Sequence, residues 1–218
     1  MVAALWYNEA MKVTVELADL SMAYGDRVLF SGVSATLRPG ACTVVAGPNG
    51  AGKSTILRIV AGLQRPTTGT VTFRCDDGAE DSASSFRRRF LGYAGPDVNP
   101  YVEMTGVENL VFAARIRRVA VPDPTAYLAK VGLKRSRAGE PVSTYSSGMR
   151  QRVRIAISLL GDPPLLIWDE PTAMLDAPGR EVVQNLLSER LAAGGSLLIA
   201  TNDEAEAARW ADQRIEFA

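Results

Sequence analysis

Short apolar runs along the chain have the patterns of β-strands. Some alternate apolar with polar residues, which indicates one buried face, and others are continuously apolar, which indicates a strand buried on both faces. The predicted strands are MKVTVEL (11–17), VLFSGVSATLR (28–38), CTVVA (42–46), GTVTFR (69–74), LLIW (165–168), GSLLIAT (195–201) and QRIEF (213–217).

Segments with helical periodicity lie between these strands. One helix is predicted to start at Lys53 and run through ILRIVAGL, and another to follow Thr105, which has capping-box spacing with Glu108. Further helices are predicted over 124–133, through Val153, Ala156, Ile157 and Leu160, over about 178–192, and over 203–211. Strands separated by helices predict a largely parallel sheet covered on both faces, and the consecutive helices after Thr105 predict a mostly helical insertion.

Composition excludes several classes of function. The chain has 218 residues, 47% of them hydrophobic, which is enough for a sizeable core. Its 24 basic residues balance 24 acidic ones, so we expect no nucleic-acid partner. The absence of histidine excludes Ser-His and Cys-His nucleophile pairs and most zinc sites. Cys42 and Cys75 are far apart, as expected of reduced, buried thiols in a cytosolic protein.

The sequence predicts neither a membrane-spanning segment nor a signal peptide. The longest apolar runs are only strand-length, so no membrane span is predicted. The first ten residues lack a basic region and a long apolar core, so they are not predicted to be a signal peptide.

The stretch GPNGAGKST (47–55) follows a predicted buried strand and opens a predicted helix, which is the context that a phosphate-binding loop requires. The glycines allow the backbone N–H groups to approach a polyphosphate, and the helix adds the positive end of its dipole. Lys53 can reach the β- and γ-phosphates, and the Ser54 hydroxyl can ligate Mg²⁺. The predicted nucleotide-binding residues here are Gly47, Pro48, Asn49, Gly50, Ala51, Gly52, Lys53, Ser54 and Thr55.

Two carboxylates follow the buried run LLIW, in LLIWDE (165–170). In an open parallel sheet the carboxyl ends of the strands are where ligands bind. We predict that Asp169 binds Mg²⁺ and that Glu170 polarises the attacking water. Alone, such a pair would more often be a solvated strand end; the phosphate loop is what favours the catalytic interpretation.

The stretch YSSGMRQR (145–152) places Ser146, Ser147 and Gly148 at a predicted helix N-terminus. A hydroxyl and unpaired N–H groups there can form a second anion-binding cradle, and a plain N-cap is the alternative. Because loop 47–55 already covers one side of a triphosphate, a second cradle would meet the opposite side of a nucleotide held by another copy.

These motifs resemble those of the ATP-binding-cassette ATPases, the nucleotide-binding subunits of ABC transporters. YSSGMRQR stands at the family's signature, and GPNGAGKST and LLIWDEP match its two nucleotide motifs, in order and spacing, over about residues 12–217. TAMLD (172–176) resembles its D-loop, which implies that Asp176 lies at a dimer seam. Tyr24 stands where the family stacks an aromatic ring on adenine.

The resemblance implies an α/β fold: a P-loop NTPase core with a mostly parallel sheet, an N-terminal antiparallel β element and an inserted helical subdomain. A single domain would span 1–218, with 11–95 and 162–218 as the core and 96–161 as the helical subdomain.

The resemblance also implies an ATP-hydrolysing subunit that powers a membrane transporter. Two copies would close head to tail around two ATP molecules, each held with Mg²⁺ between loop 47–55 of one copy and Ser146 to Gly148 of the other. Integral membrane subunits would dock on the helical subdomain, which implies a cytoplasmic protein, peripheral on the cytoplasmic face of the membrane. Glu170, Lys53 and Asn202 would be the catalytic residues.

Three positions depart from the family pattern. Ser147 and Met149 replace a glycine and a glutamine of the signature, and the cradle is expected to survive. Pro96 replaces a glutamine that follows the GY of its strand; either Asp97 takes over metal binding, or the lobe is coupled less directly, or the segment is simple coil. Asn202 replaces the switch histidine and keeps a neutral N–H donor, so slowed but real turnover is expected.

Other functions stay open. The short chain resembles compact exporter subunits, including the haem-exporter type linked to cytochrome c maturation. With Pro96 and Asn202 the protein could instead be a regulatory switch that binds ATP with little hydrolysis, although Glu170 argues against this. Soluble members in translation or DNA repair carry paired cassettes or long coiled coils, which a single uninterrupted cassette does not match.

Overall fold

A computed structural model of the protein describes residues 12–75, 87 and 90–217. The predictions for residues 1–11, including the start of the first strand, lie outside the described residues. Within these residues, no helix is long and apolar enough to cross a membrane.

The strands form two sheets. The first is antiparallel, with strand order β2-β1-β4, and the second is parallel throughout, with order β5-β6-β7-β3-β8. The predicted fold class is therefore confirmed. In chain order the strands are β1 (Val13–Tyr24), β2 (Arg27–Leu37), β3 (Cys42–Ala46), β4 (Thr68–Cys75), β5 (Leu91–Ala94), β6 (Leu165–Asp169), β7 (Ser196–Ala200) and β8 (Gln213–Glu216).

Helices cover both faces of the parallel sheet and fill the segment between β5 and β6. They are α1 (Lys53–Ala61), α2 (Gly106–Arg117), α3 (Pro124–Lys130), α4 (Arg135–Ala138), α5 (Ser147–Ser158), α6 (Ala177–Ala192) and α7 (Glu204–Trp210), with a 3-10 turn at Val142–Thr144. The consecutive helices α2 to α5 are the predicted helical insertion; its limits at 96 and 161 stay a prediction.

The parallel sheet separates two apolar clusters. Along β6, Leu165 and Ile167 pack with α1 and the antiparallel sheet, while Leu166 and Trp168 pack with the helical insertion and α6. Successive side chains of a strand point to opposite faces, so a continuously apolar run is what a strand between two cores requires. This explains why CTVVA was predicted with its true limits.

The short helix α4 was not predicted, and two further elements have limits other than those predicted. Strand β1 continues to Tyr24 because it pairs with β2 along its length; irregular pairing near Leu17 to Leu20, with Asp19 at φ 52, breaks the alternation that the prediction followed. The helix predicted over 124–133 ends at Lys130, because Gly132 adopts φ 79 and turns the chain. The capping box of Thr105 and Glu108 is confirmed at the start of α2.

Candidate functional site

The carboxyl ends of β6, β7 and β3 lie side by side at one edge of the parallel sheet, because these strands are direct neighbours. The loop after β3 carries the glycine-rich motif and leads into α1, the end of β6 carries Asp169 and Glu170, and the loop after β7 carries Asn202. Residues separated by more than a hundred positions therefore meet at the edge where parallel sheets bind ligands.

The glycines of the phosphate loop are required by its backbone. Gly47, Gly50 and Gly52 have φ values of 144, 81 and 109. A Cβ at Gly47 would lie 2.8 Å from the Phe217 carbonyl oxygen, and one at Gly52 would lie 2.8 Å from the Phe30 ring. At Gly50 a Cβ would meet no described atom within 4 Å, so this side of the loop faces open space.

The N-terminus of α1 is available to an anion. Its N-cap is Gly52, and no side chain of the described residues caps it. The first N–H groups of a helix have no partner within the helix, and the dipole makes this end positive. A phosphate could satisfy these donors.

Lys53 is folded back over the loop. Its Nζ donates hydrogen bonds to the carbonyl oxygens of Gly47, at 2.7 Å, and Pro48, at 3.0 Å. The side chain is 7% exposed, so the ammonium is held at the loop rather than in bulk water.

Asp169 reaches the phosphate loop from the end of β6. The Ser54 hydroxyl lies near its carboxylate, whose Oδ2 is buried without a hydrogen-bond partner among the described residues. Burial raises the pKa of Asp169, and the nearby Ser54 hydroxyl opposes this shift. A hydroxyl beside a carboxylate with an unsatisfied oxygen is a donor set that suits Mg²⁺.

Glu170 lies next to it in a left-handed backbone conformation, with φ 50. Its N–H donates to the Ala200 carbonyl oxygen at 2.9 Å, and the backbone N–H of Asn202 lies near its carboxylate. Its Oε1 is buried without a partner in the described part of the chain. Burial is the main cause that raises the pKa of Glu170. The Asn202 side chain itself is exposed.

Glu206 is a further carboxylate at this edge that sequence reasoning missed. It is 7% exposed, and its Oε2 accepts hydrogen bonds from the hydroxyls of Thr172, at 2.8 Å, and Thr201, at 3.1 Å. It therefore ties the loop after β6 to the loop after β7. In the sequence it stands in DEAEAARWA, where its acidic neighbours make it look like part of a solvated helix.

The serine-rich stretch begins α5. Ser146 is the N-cap, and its hydroxyl accepts a hydrogen bond from the Met149 N–H at 3.2 Å. Ser146 and Ser147 are exposed, whereas Gly148 is buried, and a Cβ there would lie 2.7 Å from the Met174 carbonyl oxygen. Cap and cradle are compatible, because a single serine leaves other N–H groups of the first turn unpaired. The anion-binding role stays a prediction.

Asp176 is the N-cap of α6, where its Oδ1 accepts from the Gly179 N–H and from Arg152 Nη2 at 2.6 Å. Tyr24 is 53% exposed, and its hydroxyl accepts a hydrogen bond from Gln64 Nε2 at 2.6 Å. Their roles in nucleotide contact stay predictions.

Asp97, predicted as a possible metal ligand, already has a cationic partner. Arg58 donates to both of its carboxylate oxygens, with Nη2 at 2.9 Å from Oδ1. The Tyr93 hydroxyl also donates to Asp97, at 3.4 Å. Metal binding by Asp97 would compete with this ion pair.

Comparison with known proteins agrees with this arrangement. Residues 30–173 match the family model described as ABC transporter. The chain is 34% identical over 204 residues to the Nod factor export ATP-binding protein I of Rhizobium meliloti, which covers 92% of this chain and 60% of the relative. A protein of the same name from Cupriavidus metallidurans is 33% identical, with 91% and 66% covered. The chain thus spans roughly two thirds or less of the length of these relatives. Their names do not confirm the narrower resemblance to haem exporters.

Solved structures of similar chains have the same architecture. One is described as the dimeric structure of a post-hydrolysis state of the ATP-binding cassette MJ0796 bound to ADP and Pi; it is 25% identical, with a TM-score of 0.81 over 93% of this chain and 94% of that one. Another, described as an ATP binding subunit of an ABC transporter, is 28% identical, with a TM-score of 0.79 over 93% and 85%. Because the family model covers more than half of the sequence, the chain belongs to the ABC transporter family.

Proposed function

We propose that the protein is an ATP-hydrolysing subunit that dimerises around two ATP molecules and powers a membrane transporter. The observation that carries this proposal is the meeting of Ser54 and Asp169, which joins an uncapped, glycine-rich helix N-terminus to a buried carboxylate with an unsatisfied oxygen. The ADP and Pi described for the similar MJ0796 cassette support hydrolysis as the reaction.

Residues of this chain would bind the phosphates of the nucleotide and accept the proton of the attacking water. On nucleotide binding, Lys53 would exchange the carbonyl oxygens of Gly47 and Pro48 for phosphate oxygens. The N–H groups of the loop and of α1 would hold the β- and γ-phosphates. Glu170 would accept a proton from the attacking water, since its Oε1 is buried and unsatisfied among the described residues.

The donor set at Ser54 and Asp169 fits Mg²⁺. When bound, the ion would screen the negative charge of the phosphates. Asp97 is a weaker candidate for this role, because both of its oxygens are engaged by Arg58.

Membrane subunits are proposed to dock on the helical insertion, which would place the protein at the cytoplasmic face of the membrane. Support comes from a shallow groove along α2, lined by the apolar side chains of Met104, Val107, Val111 and Phe112 together with the charged Glu103, Glu108 and Arg115. Phe112 and nearby Ile116 are 37% and 67% exposed, so apolar side chains of this helix are open to a partner. The export function in the relatives' names makes an exporter the favoured kind of transporter.

Phosphate release distinguishes hydrolysis from the regulatory switch. The wild-type protein should hydrolyse Mg-ATP, and Glu170→Gln should lower the rate by roughly 10²- to 10⁴-fold, as loss of a general base does. Glu181→Gln, at an exposed position of α6, is the matched control and should leave the rate unchanged. Equally low release from wild type and Glu170→Gln would refute hydrolysis and favour the switch.

Dimerisation is tested with the same variant. Light scattering should give twice the monomer mass for Glu170→Gln with Mg-ATP, because the nucleotide is not consumed. A monomer under these conditions, even with the membrane subunits present, would contradict the proposed ATP sandwich.

The Asn202 side chain is expected to assist without being essential. Its backbone N–H near Glu170 is retained in Asn202→Ala, so the substitution removes only a neutral side-chain donor and should cost less than the roughly 10²- to 10³-fold of a full transition-state donor. An unchanged rate would show that the side chain takes no part.

A further inference from the structure

The segment that leaves the sheet after β5 and enters the helical insertion is held from two sides. It contains Pro96, where the family has a glutamine, followed by Asp97, Val98 and Asn99. On one side Arg58 of α1 forms a bidentate ion pair with Asp97. On the other side Arg154 of α5 donates to the Val98 carbonyl oxygen at 3.1 Å and to the Asn99 side-chain oxygen.

The segment itself is a closed turn rather than a loose connection. The Val98 N–H donates to the Gly95 carbonyl oxygen at 3.2 Å, and Asn99 Nδ2 donates to the Pro96 carbonyl oxygen at 3.1 Å. Proline fixes one backbone dihedral at the start of the turn. A turn with internal bonds can transmit a displacement from one arginine to the other, which a flexible loop would absorb.

The two arginines belong to the two helices whose N-termini are the candidate anion sites. Arg58 lies on α1, which starts at the phosphate loop, and Arg154 lies on α5, which starts at Ser146. Arg154 also donates to Gln151 Oε1 at 2.9 Å, and Gln151 contacts the Pro171 carbonyl oxygen, one residue after Glu170.

We propose that Arg58 and Arg154 act as positioning residues, which hold the turn 96–99 as a brace that fixes the orientation of the helical insertion relative to the phosphate helix. The brace stands where the family has a glutamine side chain. Its consequence for hydrolysis rests on the function proposed above: if α5 is misoriented, its serine cradle is presented wrongly to the nucleotide of the partner.

The test measures orientation directly, without nucleotide. Spin labels are attached at Ser136→Cys in the insertion and Asn185→Cys in α6, both exposed, in the full chain with Cys42 and Cys75 replaced by alanine. Arg154→Met and Arg58→Met should each broaden the distance distribution by roughly 1.5-fold or more, because the insertion then samples more orientations. Arg135→Met, an exposed arginine of α4, is the matched control.

A milder variant guards against misfolding. Asn99→Ala removes one of the acceptors of Arg154 and the donor to the Pro96 carbonyl oxygen, so it should broaden the distribution in the same direction but less, with the circular dichroism of the parent. Unchanged widths in folded Arg154→Met and Asn99→Ala would overturn the brace.

Hydrolysis provides the functional readout. Arg154→Met should lower the rate of ATP hydrolysis roughly 10-fold or more through misplacement of α5, while the monomer's ATP affinity stays within about twofold. If the distributions broaden but the parent protein does not hydrolyse ATP, the brace stands and the proposed function fails. If the parent hydrolyses ATP and the variants leave the widths of the distance distributions unchanged, the proposed function stands and the brace fails.

Discussion

At the scale of single residues, Glu206 is the buried group whose role is clearest. Its carboxylate accepts two hydroxyl hydrogen bonds, from Thr172 and Thr201, on the loops that flank Glu170 and Asn202. Buried hydrogen bonds to a charged group each contribute more to stability than neutral ones, and loss of the acceptor leaves both hydroxyl protons without their partner.

We therefore predict that Glu206→Ala lowers the free energy of unfolding by about 1–3 kcal/mol. Glu204→Ala is the control: that side chain is 74% exposed and pairs with Arg214 at the surface, so its loss should cost less than about 1 kcal/mol. Urea unfolding at unchanged m-value measures both. Equal losses in the two variants would contradict the anchoring role.

Cys42 gives a prediction on pH. Burial, reinforced by Asp212, raises the pKa of the Cys42 thiol to about 12. The unfolded state, with a thiol pKa of about 8.5, releases its proton first as the pH rises. This contribution to stability is therefore fully present below that pH and is lost as the pH rises through the folded pKa of about 12.

Alkylation at pH 8 followed by peptide mapping measures this directly. Ionisation alone should slow the reaction of native Cys42 on the order of 10³-fold relative to the urea-unfolded chain. Comparable rates in the two states would show that the thiol is not held in its protonated form.

At the scale of elements, the sequence predicted correctly those features that depend on residues adjacent in the chain. CTVVA, the capping box at Thr105 and the glycine loop were all found at their predicted places, because burial on two faces, capping and positive φ leave a signature in adjacent residues. The contacts of Glu206 and Arg154 were not predicted. These contacts join residues up to 56 positions apart. The sequences around Glu206 and Arg154 also look like those of solvent-exposed helices.

Alanine substitutions at two helix N-caps can distinguish an effect on stability from an effect on ATP hydrolysis. Ser146 caps α5 and Asp123 caps α3, each through a side-chain acceptor for an N–H of the first turn. Replacement by alanine should cost about 0.5–2 kcal/mol in either case. If Ser146 also contacts the partner's nucleotide, Ser146→Ala should in addition lower ATP hydrolysis, whereas Asp123→Ala should not.

Unfolding and phosphate-release assays on the two variants decide the matter. Similar losses of stability with hydrolysis impaired only in Ser146→Ala would support the second cradle. If neither variant changes the rate, Ser146 is only a cap.

At the scale of the whole molecule, the charge is balanced overall but divided unevenly. Residues 96–161 contain 10 basic and 5 acidic residues, a net charge of +5, and the rest of the chain contains 14 and 19, a net charge of −5. In a head-to-tail dimer the positive insertion of each copy would face the negative core of the other. The opposite net charges of the two parts would therefore favour this assembly, although the monomer is neutral.

This division predicts a dimer that salt weakens. The dissociation constant of the Mg-ATP-loaded Glu170→Gln dimer should rise roughly 3- to 10-fold between about 50 and 500 mM NaCl, as the screening length shortens. Analytical ultracentrifugation measures the constant, and the monomer's free energy of unfolding over the same salt range is the control. A dimer that is unaffected or strengthened by salt would mean that apolar contacts and the shared nucleotides, rather than the opposed charges, determine how the two copies meet.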